Sequence, residues 1–231
     1  MAKSVSCWIL CTAAAVLVVA GPARGEVFCK TRSGLLRLRA ACKAQETRLP
    51  IAIADDGKTV LVTGANVKIV NGTGATDGSP NGLGNLILGY DLENRPDVGD
   101  GPDVRTGSHN LVIGDEHTYA STSGLVVGLD NAIIGVGASV AGGLANTASG
   151  DFAAITGGQY GQAAGIASSI SGGLDNQALG NRSSVLGGEL NVAGGERASV
   201  VGGRFNSAGG VLSVVVGGDG NTAPGTFDIA P

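Results

Sequence analysis

From Ser139 onward the apolar and polar positions of the chain recur at a fixed interval of 15 residues. Val140, Ile155, Ile170, Val185, Val200 and Val215 form a column in which every side chain is β-branched. Ala148, Ala163, Ala178, Ala193, Ala208 and Ala223 form a second column of alanine alone. Positions that admit one shape only are expected to face a closed interior, so both columns are assigned inward. Glycine pairs run from Gly142 and Gly143 to Gly217 and Gly218 at the same spacing, and Gly150, Gly165, Gly180, Gly195, Gly210 and Gly225 make a further column. The residue after each pair varies freely, as Leu144, Gln159, Leu174, Glu189, Arg204 and Asp219, and is expected on the outside.

Fifteen residues are too few for a helix-turn-helix repeat, and they suit short β-strands joined by glycine turns. The pattern therefore predicts an all-β fold, a parallel β-solenoid of about 15 residues per coil. Asn146, Asn176, Asn191, Asn206 and Asn221, interrupted by Gly161, are expected to stack as an amide ladder. Looser copies begin at "NLILG" (Asn85), "NLVIG" (Asn110) and "GLVVG" (Gly124). Together they predict about nine coils, roughly 43 Å at the strand spacing. The prolines, glycines and carboxylates of Glu93 to Asp103 read as a loop leaving the coil, able to hold a cation if it holds any ligand. Upstream, the alternation in "KTVLVTGANVKIVNG" predicts strands capping the open end.

The remaining segments divide by composition. Lys3, the apolar run from Val5 to Ala20 and the small residues Ala23 and Gly25 read as a secretory signal, with the exported chain beginning near Glu26. That leaves Cys29 and Cys42 as the only cysteines, an expected disulfide in an exported protein. The expected organisation is a signal peptide over 1–25, a small basic disulfide module and linker over 26–57, and capping strands over 58–84. β-roll repeats over 85–225 and a tail over 226–231 complete it.

Charge narrows the function classes. Residues 1–68 carry 10 basic and 4 acidic side chains, whereas residues 69–231 carry 5 basic and 15 acidic. An acidic solenoid poor in aromatics offers neither phosphate contacts nor base-stacking platforms, so no nucleic-acid partner is expected. "GTGATDG" and "GLGNLILG" lack the spacing of a phosphate loop and read as turns. "GDEH" at Gly114 to His117, with His109 one coil earlier, gathers carboxylates and imidazoles but reads as a variable exposed turn. Serines such as Ser184 and Ser199 recur in every coil, as structural residues do and a nucleophile does not. No catalytic residue, metal or cofactor is expected.

"SVLGGELNVAGG", "SVVGGRFNSAGG" and "SVAGGLANTASG" resemble the SVAIGxxSxAxG repeats of the YadA-type head of trimeric autotransporter adhesins, over about residues 85–225. The resemblance implies a left-handed β-roll in which three chains pack side by side to form a projecting head that binds matrix or neighbouring cells. Two departures stand out. Glycine replaces the family's isoleucine in many copies, and the family's stalk and membrane-barrel patterns are not found after Gly225. The column Ala141, Thr156, Ser171, Leu186, Val201 and Val216 grows more apolar toward the C-terminus, so Leu186, Val201 and Val216 are expected to form a trimer seam. The expected function is that of an exported or cell-surface structural or adhesive protein with an extracellular protein or glycan ligand, and no membrane anchor once the signal is removed. A carbohydrate- or ice-binding solenoid is the alternative, followed by a polysaccharide-processing β-helix enzyme.

Overall fold

In the computed structural model the described residues are 26–54, 57–93 and 103–231. The expected signal segment and most of the Glu93 to Asp103 loop lie outside them. The described residues form strands and turns without an α-helix, in two compact units divided between Lys68 and Ile69.

The first unit is a four-stranded antiparallel sheet of β1 (Glu26–Lys30), β2 (Leu36–Arg39), β3 (Thr47–Ala54) and β4 (Thr59–Val62), in the order β2-β1-β3-β4. Its core is small: Val27, Cys29 and Ala52 are buried, with Cys42 packed against them. The expected disulfide joins Cys29 to Cys42, with Cα atoms 5.5 Å apart. It closes a separation of 13 residues, and a loop of that length stabilises by about 3 kcal/mol in the chain-entropy account.

The second unit is the parallel β-solenoid. Its larger sheet has ten strands: β5 (Leu86–Leu88), β6 (Leu111–Asp115), β8 (Leu125–Leu129), then a two-residue strand per coil from β10 (Ser139–Val140) to β22 (Ile229–Ala230). The smaller has eight, from β7 (Thr118–Tyr119) and β9 (Ala132–Ile133) to β21 (Thr222–Ala223). About eight coils carry strands in both sheets, and β5 at one end and β22 at the other add to the larger sheet only. A third line of parallel bridges links Leu129, Leu144, Gln159, Leu174, Glu189, Arg204 and Asp219. Both inward columns are as expected, each member at 2% exposure or less, and they merge into one continuous core. An interior of one β-branched side chain against one methyl is thin, so backbone pairing between coils carries much of the order.

The coils turn at residues held in the left-handed region. Gly143 and its equivalents do so with a φ between 83° and 96°, and a Cβ at Gly143 would lie 2.1 Å from Gly158 O. Two other corners per coil use ordinary residues, such as Tyr160 (φ 57°) and Phe152 (φ 59°). Each of these reverses its peptide: Tyr160 N–H donates back to Leu144 O and Phe152 N–H to Val136 O, whereas strand residues such as Ser139 donate forward to the next coil. A bond in every copy offsets a conformation costing roughly 1–2 kcal/mol per residue.

Three boundaries differ from expectation. Of the stretch read as capping strands, only Thr59–Val62 is a strand, and it pairs with β3 in the first unit. No strand occurs between Thr63 and Asn85, because the alternation there is broken by Gly64, Gly72 and Gly74, all at positive φ. Side-chain amides cap this end of the coil instead: Asn85 Oδ1 accepts Asn110 N–H, and Asn81 Nδ2 donates to Asn71 O. At the other end, residues 226–231 are not a tail, since Ile229–Ala230 pairs in parallel with Val214–Val215. Finally, the coils opened by Leu111 and Leu125 are one residue shorter than the rest. Where later coils have a glycine pair they have one glycine, Gly114 or Gly128, so their strands run unbroken for five residues.

Candidate interaction surface

Alternation fixes which side chains of the ten-stranded sheet point outward. Val112, Val126 and Val140 are buried in register, so Leu111, Leu125 and Ser139 share the opposite face, with Ile113 and Val127 beside them. Toward the C-terminus the same face carries Leu186, Val201 and Val216, at 51%, 44% and 54% exposure. Between the two apolar ends lie small side chains: Ser139, Ala141, Ala154, Thr156, Ser169 and Ser171. The three residues expected at a seam are thus free on a single chain and stacked in adjacent coils. Leu111, Ile113, Leu125 and Val127 extend their face, and the sequence reading missed them. Their signal was the register of "NLVIG" and "GLVVG" with the later repeats.

The columns expected on the outside are less uniform. Gln159, Leu174, Arg204 and Asp219 are exposed, while Leu144 and Glu189 are half-buried along the third line of bridges.

The asparagine ladder is present. Asn146 N–H donates to Asn131 Oδ1, Asn191 to Asn176, Asn206 to Asn191 and Asn221 to Asn206, at 2.8 to 3.0 Å. Each side-chain NH2 also ties its own turn to the next, as Asn191 Nδ2 donates to Gly187 O and Gly203 O. The ladder begins earlier than expected, with Asn131 and with His117. His117 is fully buried, accepts Asn131 N–H on Nδ1 and uses Nε2 on Ile113 O. "GDEH" is therefore not a free exposed turn: both imidazole nitrogens are engaged, and Asp115 Oδ1 accepts Leu92 N–H.

A second polar cluster anchors the Glu93 to Asp103 loop. Arg105 donates to the carbonyls of Asp91 and Leu92 before the loop and pairs with Asp103, its last residue, at 2.8 Å. Tyr119 occupies the inward position of its coil and donates its hydroxyl to Asp91 Oδ2 at 2.9 Å. Burial first, then the Asp91 hydrogen bond and charge, push its phenol up to about 12.

Among the described residues the one group with metal-ligand spacing is Cys29, Cys42 and Glu46, and the disulfide removes both thiolates from it. Also among the described residues, no helix is long and apolar enough to cross a membrane. The chain matches no protein-family model and no curated protein.

Proposed function

We propose that this chain is an exported β-roll protein of the adhesin-head type, whose work is to present a repetitive surface to cells, matrix or glycans. The observation that carries the reading is the outer face of the ten-stranded sheet. It displays apolar side chains at both ends and small ones between, on a solenoid whose regular coils have a thin apolar interior, a β-branched column against an alanine column. Such a coil gains stability by laying that face against copies of itself, and the repeat resemblance supports three chains. Leu186, Val201 and Val216 then close one end of the seam and Leu111, Ile113, Leu125 and Val127 the other. The disulfide supports an oxidising compartment.

Sedimentation equilibrium at micromolar concentration tests the assembly. The expected result is a trimer that Val201→Asp dissociates; a folded monomer indifferent to that change removes the seam. Adhesion of the exported chain to matrix-coated and cell-coated surfaces tests the function, and the absence of retention on all of them removes it.

A further inference from the structure

The two faces of the N-terminal sheet differ in chemistry. Cys29 lies directly opposite Arg37 on β2 and opposite Arg48 on β3, and residues opposed across strands share a face. Arg37 and Arg48 therefore flank the buried disulfide on one side of the sheet, two strand spacings or about 10 Å apart, and both are exposed. Arg39, opposite Val27, belongs to the same face. Among the described residues the carboxylate at this face is Glu46, and it is already engaged. Arg39 holds it at 3.1 Å and Lys43 N–H donates to it at 3.0 Å; that bond chiefly, helped by the charges of Arg39 and Lys43, holds its carboxyl below the usual range. Among the described residues neither Arg37 nor Arg48 makes an ion pair. Beside Arg48, where β3 bulges, a groove of about 370 Å³ is lined by β3 from Arg48 to Ala52 together with Leu61 and Thr63. That volume falls at the lower end of small-molecule sites, roughly 300–1,000 Å³.

We propose that this arginine face binds an anionic polysaccharide, with carboxylate or sulfate groups on Arg37 and Arg48 and a sugar ring in the groove beside Arg48. Guanidinium is the cation suited to such groups, because its planar fork meets two oxygens at once. The opposite face argues against a lipid surface. Leu36, Leu38 and Val60 are exposed there, in register with Lys30, Phe28 and Ile53, so most of the exposed apolar side chains of the strands point away from the arginines, which have Leu61 alone of that kind on their own side of the strands. Nucleic acid is disfavoured because Phe28, the aromatic residue among the described residues of this unit, also lies on that far side and offers the arginines no stacking platform. The inference deepens the adhesive reading by naming a partner, but it needs no particular oligomeric state.

The test is binding of the full exported chain to immobilised polygalacturonate and heparin over a series of salt concentrations. Neutral dextran, duplex DNA and phosphatidylserine vesicles are run beside them. The expected result is retention on one or both acidic polysaccharides that weakens with salt, and a loss of about tenfold in affinity for Arg37→Gln with Arg48→Gln. Arg182→Gln with Arg197→Gln on the solenoid leaves retention unchanged, and matching thermal melts show that both pairs fold. Undiminished binding by the Arg37/Arg48 pair overturns the inference, as does equal or tighter binding of the parent to DNA or vesicles. Matrix adhesion that survives the Arg37/Arg48 pair while neither polysaccharide is retained also overturns it, yet leaves the adhesive reading standing. A parent chain that adheres to no matrix and no cell surface removes the adhesive reading instead.

Discussion

His117 Nδ1 accepts the backbone N–H of Asn131 at 3.1 Å, the same bond that Asn131 Oδ1 makes with Asn146 one coil later at 2.8 Å. The imidazole imitates an amide. Its Nε2 meets the carbonyl four residues back, Ile113 O, as Asn131 Nδ2 meets Val127 O. With the Asn131 N–H aimed at Nδ1, the ring nitrogen left to donate to Ile113 O is Nε2.

His117→Asn is accordingly expected to keep the ladder and to melt within about 1 kcal/mol of the parent. His117→Leu leaves Asn131 N–H without its partner in a buried place, at a cost of about 1–3 kcal/mol, and takes a partly buried partner from Ile113 O as well. Denaturant titration of the two variants checks this. Equal losses would mean that His117 acts by filling space and not as a rung.

That rung shows what a repeat conceals. The inward columns were legible because a solenoid puts the same demand on the same position in every coil, so Val185 and Val200 or Ala178 and Ala193 are read by stacking the sequence on itself. His117 stands the shorter coil's interval before Asn131, but imidazole and amide look alike only as hydrogen-bonding shapes. Ile229 escaped for the opposite reason. It sits 15 residues after Val214, but its neighbour Ala230 stands where each of the six regular copies before it has an inward Val or Ile. The cap was misread because Val67 and Ile69 alternate with polar residues like a strand, while among the described residues no strand pairs with them. Arg37 and Arg48 could not be paired from sequence, since their neighbourhood depends on β1 running between β2 and β3.

The ladder is interrupted at Gly161, which donates its N–H to Asn146 Oδ1 but offers Asn176 no side chain in return. A Cβ built there meets Asn146 Oδ1 at 3.0 Å, a contact that a small rotation of that amide relieves, and its backbone is not left-handed. Gly161→Asn should complete the ladder and stabilise the chain by about 0.5–1.5 kcal/mol, the net worth of a typical hydrogen bond. Thermal melts decide it, and a loss of stability would show that the neighbouring rungs cannot move.

Tyr119 gives the solenoid an alkaline limit. Its phenol titrates at about 12 in the folded chain, against about 10 when unfolded, so above pH 10 the folded state holds a proton that the unfolded state has released. Stability contributed by the neutral phenol is therefore complete below about pH 10 and falls as pH rises toward about 12. Comparison with Tyr119→Phe isolates it. The parent's advantage in denaturant midpoint should hold steady at neutral pH and shrink across that window, and an advantage unchanged through the window would contradict the burial of the hydroxyl against Asp91.

The two members of each glycine pair do different work, and substitution separates them. Gly188 has a φ of 90°, and a Cβ there would lie 2.1 Å from Gly203 O, against backbone that the next coil holds in place. Gly187 lies outside the left-handed region and its Cβ would meet nothing within 4 Å. Gly188→Ala should cost about 1–3 kcal/mol from backbone strain, with the clash against the next coil added to it. Gly187→Ala should match or exceed the parent, because alanine narrows the unfolded ensemble by about 0.4–1 kcal/mol without a folded-state penalty. Melts of the isolated chain, at concentrations where it does not self-associate, give the comparison. Parity of the two variants would show that the turn does not depend on a left-handed second glycine.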